Sequence, residues 1–131
     1  MTSLLLDTHA MLWFFWDDPQ LAVGAKAAIE DADNGKLVSV VSCWEIAIKV
    51  GLGKLDLGES SQSFLSRELA VNNFELLPIS LDHATAVEQL PAHHRDPFDR
   101  LLIAQAMSES LSLVSADAIF DQYGVSRLWE T

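Results

Sequence analysis

The chain has 131 residues, half of them hydrophobic, and its 19 acidic against 8 basic side chains give a formal charge of −11. That length is ordinarily one domain, here 1–131, and the hydrophobic content excludes a disordered tail. The charge excludes nonspecific binding to a polyanion through a broad basic face, so a nucleic-acid partner would need bound cations or a few placed Lys and Arg.

The elements read in chain order as an alternation of short apolar runs and helical segments. SLLL (Ser3 to Leu6) is a first strand, followed by a helix from about Thr8 to Trp16. Asp7 and His9 interrupt the apolar opening and no basic leader precedes it, so it is expected to be neither a signal peptide nor a membrane span. QLAVGAKAAIEDAD has helical apolar spacing at Leu21, Ala25, Ala28 and Ile29. KLVSVV (Lys36 to Val41) is a β-branched strand, and SCWEIAIKVGLGK a helix ended by Gly51 or Gly53.

A further helix is expected from Ser60 to Val71. FELLPI is a third strand, with Pro78 at an end or an edge. SLDHATAVEQL forms a short helix capped by Ser80. Pro97 suits the first position of the next helix, with Asp96 as its cap. LSLVS (Leu111 to Ser115) is a fourth strand, and VSRLWE a weaker fifth. Strands separated by helical crossovers imply an α/β fold, a three-layer α/β/α sandwich on a mostly parallel sheet of four to five strands. The lone Cys43 can form neither an internal disulfide nor a thiolate zinc site, and a cytoplasmic protein is expected.

In such sheets ligands bind beyond the carboxyl ends of the strands. Asp7 follows the first strand, Glu45 opens the helix after the second, and Asp117 lies two residues past LSLVS. These three should share one edge, and Asp99 joins them if its helix starts there. Singly, each acid is explained as a helix-start residue, and Ser42-Cys43-Trp44-Glu45 has the capping-box pattern. Collectively they are not. A cap contributes roughly 1 kcal/mol, whereas two carboxylates ~4 Å apart repel by roughly 4 kcal/mol at an effective dielectric of ~20. Convergence would require protons or a cation, and oxygen ligands without thiolates favour Mg²⁺ or Mn²⁺.

Four blocks, LLLDTHAMLW, SVVSCWEIAIKVGLGKL, HRDPFDRLLIAQA and LVSADAIFDQYGV, together resemble the PIN-domain nucleases, and more closely the VapC-type toxins of toxin–antitoxin pairs. The resemblance spans Ser3 to about Trp129. It implies a PIN-like α/β/α fold, an Mg²⁺-dependent endoribonuclease (Mn²⁺ as substitute), a homodimer, and an antitoxin that lays a basic C-terminal segment over the active site. Carried over by position, the catalytic and metal-binding acids are Asp7, Glu45 and Asp99, with Asp117 as a fourth whose metal contact varies among relatives. Ser115 stands where relatives have threonine.

Other residues keep more than one reading. Asp96 is read as a cap, with water-mediated metal contact as the lesser alternative. Arg95 and Arg100 either grip RNA phosphates bidentately or hold the carboxylates by ion pairing. Lys49 pairs with Glu45 along the helix or meets a phosphate, and Lys54 is a candidate for substrate or partner. His93 and His94 are read as a solvated loop. Of the four tryptophans, Trp16 is expected to be the most exposed. The competing function is a non-catalytic acidic module that docks a basic protein, which would need no metal.

Overall fold

The strand β1 (Ser3–Leu6) is the structural centre: Leu4, Leu5 and Leu6 are fully buried. In the computed structural model, which describes residues 2–130, β1 lies between β2 (Gly35–Ser39) and β4 (Ser112–Val114). Outside these lie β3 (Glu75–Leu77) and β5 (Arg127–Leu128). The order is β3-β2-β1-β4-β5, and all four pairings are parallel.

Parallel strands need crossovers, and helices supply them. Helices α1 (Thr8–Phe15) and α2 (Val23–Glu30) join β1 to β2, and α3 (Val40–Gly51) and α4 (Ser61–Val71) join β2 to β3. Helix α5 (Leu81–Ala86), a 3-10 turn (Val87–Gln89) and α6 (Pro97–Glu109) lead to β4, and a 3-10 segment (Ala118–Tyr123) leads to β5.

The two faces of β1 build two cores, as a side-chain period of two requires. Leu4 and Leu6 pack with Met11 of α1, Ile29 of α2, Ile46 of α3 and Phe64 of α4. Leu5 packs on the other face with Leu102, Ile103 and Phe120. The apolar run of β1 is therefore that of a strand covered on both sides, and the three-layer α/β/α architecture follows.

Boundaries differ from expectation in an instructive place. The second strand stops at Ser39, and Val40 and Val41 open α3 instead of ending the strand. The Ser39 hydroxyl accepts from Val41 N at 3.1 Å, so this buried serine caps the helix. β-Branched residues favour strands only weakly, and a cap overrides them. Ser42 is consequently inside the helix and no capping box forms with Glu45. The third strand is three residues long, and Pro78 lies just beyond its end.

At α2 the chain's last described residues take the place of a side-chain cap. Gly24 N donates to Glu130 O at 2.7 Å, and a Cβ on Gly24 would lie 2.4 Å from Glu130 Cβ. Trp129 meanwhile tilts against Trp13 of α1 at 6.0 Å. No helix among the described residues is long and apolar enough to cross a membrane.

Candidate metal centre

Asp7 leaves the sheet at the carboxyl end of β1. Its backbone N–H still donates to Val114 O at 3.0 Å, while its Oδ1 accepts from Ala10 N at 2.8 Å and caps α1. Burial pushes its carboxyl above the ordinary Asp range, opposed by hydrogen bonds from Ser115 and Ala10. The Ser115 hydroxyl is thus in contact with this acid.

Glu45 lies in the second turn of α3, one turn later than the sequence suggested. Its Oε1 accepts from the Thr8 hydroxyl at 2.7 Å, and its Oε2 faces Lys49 Nζ at 2.9 Å. Both oxygens of this buried carboxylate are therefore occupied, and the helix-face reading of Lys49 holds.

Asp96 caps α6, accepting from Phe98 N at 2.9 Å and Asp99 N at 3.3 Å. This places Asp99 in the first turn, with its Oδ2 2.7 Å from His94 Nε2. Asp99 is pushed up to about 6, chiefly by burial, although the His94 hydrogen bond pulls the other way and the Asp96 and Asp7 charges add to the rise. Asp117 starts the 3-10 segment: its Oδ1 accepts from Ile119 N at 3.1 Å, and its own N–H donates to Ser115 Oγ.

These elements bring Asp7, Glu45, Asp96, Asp99 and Asp117 onto one polar cleft of about 150 Å³, together with Thr8, His9 and Lys49. The helix of Asp99 does start at the shared edge. Two roomier hollows along α6, of about 350 and 400 Å³, contain no carboxylate and lie apart from this chemistry.

His94 is placed differently from its reading in the sequence as part of a solvated loop. It is half-buried at the site, edge-on to Phe120 at 6.2 Å. The ligand atoms of His94, Asp99 and Asp117 all lie within 4.8 Å of one another, the closest such group among the described residues. His93 does stay exposed, with its ring against Tyr123. The available hint was proximity: His94 stands five residues before Asp99, across a tight cap.

The expected cationic residues divide. Arg100 turns its guanidinium onto backbone oxygens of Val87, Leu90, Pro91 and His94 and onto the Tyr123 hydroxyl, and so faces no carboxylate. Arg95 is exposed on the loop before α6. Lys54 lines a hollow of about 180 Å³ with Trp13, Trp16 and Leu55, continuous with the acidic cleft through Thr8, His9 and Lys49. Trp44, not Trp16, is the most exposed tryptophan, at 58% against 44%. It stands outward on α3 beside Phe98.

The donor set fits a divalent cation. Carboxylate oxygens dominate, and the imidazoles of His9 and His94 adjoin them. Lys49 offsets a single charge, and burial already strains the ionisation of Asp7 and Asp99.

Comparison with known proteins agrees with this architecture. The PIN domain family model matches residues 4–125. Ribonuclease VapC22 of Mycobacterium tuberculosis is 33% identical over 119 residues, covering 89% of this chain and 88% of the relative. Ribonuclease VapC16 of the same organism is 39% identical over 70 residues, half of this chain and 48% of the relative. Among solved structures, the VapBC2 complex of Rickettsia felis bound to a promoter DNA fragment matches with a TM-score of 0.75 at 18% identity, over 98% of this chain and all of the matched one. A parallel sheet with acids gathered at its carboxyl edge, a family model spanning nearly all of it and a relative at 33% identity lead to one conclusion: the chain belongs to the PIN-domain family, in its VapC-type branch.

Proposed function

We propose that this protein is a metal-dependent endoribonuclease, the toxin of a toxin–antitoxin pair, which hydrolyses RNA phosphodiester bonds with an activated water. The observation that carries this reading is the convergence of Asp7, Glu45, Asp99 and Asp117 on one cleft from four separate elements. Relatives named ribonucleases support the same reading.

Asp7, Glu45, Asp99 and Asp117 would hold Mg²⁺ or Mn²⁺. When bound, such an ion lowers the pKa of a coordinated water and offsets charge that builds on a phosphoryl group. The chain's own residues set the geometry. Ala10 N–H and Ser115 orient Asp7; Thr8 and Lys49 orient Glu45; the Asp96 cap fixes the turn that aims Asp99. Asp117 is exposed at the rim, with one oxygen committed to Ile119 N, and is suited to positioning the attacking water.

RNA phosphates need cations in this acidic chain. Lys54 and Arg95 are the proposed contacts, both exposed beside the cleft, whereas Arg100 serves the loop that carries His94. The −11 charge suits a cognate antitoxin with a basic C-terminal segment. A homodimer belongs to the same proposal.

The test is RNA cleavage by the purified chain with and without Mg²⁺ or Mn²⁺. Asp7→Asn should abolish metal-dependent cleavage while the folded spectrum stays unchanged. Undiminished cleavage by that variant would overturn the assignment. Absence of cleavage in the native chain, with retained binding to a basic peptide, would favour the acidic docking module.

A further inference from the structure

The acids of the cleft are unequally compensated. Glu45 has both oxygens engaged, by Thr8 and by Lys49, so that end of the cleft already carries a cation. At the other end, Asp99 is bonded to an imidazole, and Asp117 feels the Arg127 guanidinium only across space. His94 reaches Asp99 through Nε2 at 2.7 Å, and all three ligand atoms lie within 4.8 Å of one another. Its ring is fixed edge-on to Phe120, and the Arg100 guanidinium holds its backbone carbonyl at 3.3 Å. The imidazole is therefore held toward the carboxylates by two contacts that belong to the fold.

We propose that His94 is a metal ligand, and that with Asp99 and Asp117 it gives this site a mixed nitrogen and oxygen donor set that selects Mn²⁺ over Mg²⁺. An octahedral ion with bonds of about 2.1 Å spans donors up to about 4.2 Å apart. Small side-chain rotations bring the three atoms within that span. Coordination through Nε2 would replace its contact with Asp99 Oδ2 and needs the tautomer that carries the ring proton on Nδ1. Mn²⁺ shares the taste of Mg²⁺ for carboxylates but, as a d-block ion, accepts an imidazole nitrogen more readily, whereas Mg²⁺ dehydrates reluctantly and keeps its waters. This inference rests on the metal-dependent reading above and departs from its all-oxygen set.

The experiment uses the metal alone, without RNA. Electron spin-echo spectroscopy of Mn²⁺ bound to the native chain should show nitrogen hyperfine coupling, and the coupling should change when histidine is labelled with ¹⁵N. His94→Ala should remove it and weaken Mn²⁺ binding about 10- to 100-fold, with Mg²⁺ binding changed less than about 3-fold, while His93→Ala retains both. Mn²⁺ bound to the native chain without nitrogen coupling would overturn the histidine assignment and leave metal dependence standing. Equal losses of Mn²⁺ and Mg²⁺ affinity in His94→Ala would reduce His94 to a support for Asp99, and would also overturn it. Failure of the native chain to bind Mn²⁺ at all would overturn the metal-dependent reading together with this inference. Should His94→Ala fail to fold, His9→Ala decides: the coupling should persist there, because His83 is engaged by Glu109 and His9 is the other imidazole that lines the cleft, and its loss would overturn the assignment to His94.

Discussion

Thr8 and Glu45, 37 residues apart in the chain, are joined by a buried hydrogen bond of 2.7 Å from the threonine hydroxyl to the glutamate carboxylate. The bond ties the start of α1 to the second turn of α3 across the mouth of the cleft. Thr8→Val keeps the shape and removes the donor. It should destabilise the protein by about 1–3 kcal/mol in denaturant unfolding and weaken metal-dependent cleavage about 10- to 100-fold. Wild-type values in both measurements would show that Glu45 needs no such anchor.

Asp99 gives a pH dependence with a definite sign. Its folded pKa is raised from 3.8 to about 6 by burial, so ionisation costs more in the native chain than in the unfolded one. The corresponding stability is present below about pH 4 and is lost as pH rises through about 6. Compared without metal, Asp99→Asn should match the wild type near pH 4 and become more stable than it by about 1–2 kcal/mol at neutral pH, less than the full shift because solvent screens this part-exposed carboxyl. Urea titrations at stepped pH read this directly, and parallel curves would refute it. Millimolar Mn²⁺ should reverse the order at pH 7, because it binds the ionised form and raises stability by linkage.

The close approach of Gly24 to Glu130 predicts an intolerant glycine. A Cβ there would meet Glu130 O at 2.6 Å, so Gly24→Ala must displace the C-terminal segment and lose the Gly24 N–H bond. A loss of about 1–3 kcal/mol is expected. Gly51, at the end of α3 with open space around it, is the control, and Gly51→Ala should be stabilising by about 0.4–1 kcal/mol. Equal melting temperatures for the two variants would contradict the packing argument.

Arg100 and Lys54 should separate in a salt titration of RNA binding. Removing a phosphate contact lowers the salt slope by about 0.7 on a single strand. Lys54→Ala should show that change at unaltered stability. Arg100→Gln should leave the slope unchanged, because the guanidinium is spent on four carbonyls, but lose those bonds and lower stability by about 2–3 kcal/mol. A fully stable Arg100→Gln would contradict the structural role.

What the sequence disclosed follows the range of the forces involved. The leucines of β1 and the Asp96–Pro97 start of α6 are local patterns, and both elements lie where they were expected. The second strand ran too far because Val40 and Val41 favour strands by propensity, while a buried Ser39 cap, visible only once the sheet is assembled, turns them into helix. That shift of one turn also moved Glu45 to where Thr8 and Lys49 meet it. His94 was hidden for another reason. Its approach to Asp99 depends on the loop path that Arg100 fixes through carbonyls spread from Val87 to His94, and no periodicity records such contacts.

The position of β1 has a last consequence. Strands with hydrogen-bonded partners on both sides and packed cores on both faces exchange their amide hydrogens only when the whole molecule opens. Asp7 hangs from the tip of that strand, and its own amide continues the ladder onto Val114. The crowded charge therefore cannot be relieved by local fraying. An ion held there would add its binding energy to the opening of the whole sheet, and should slow exchange throughout it.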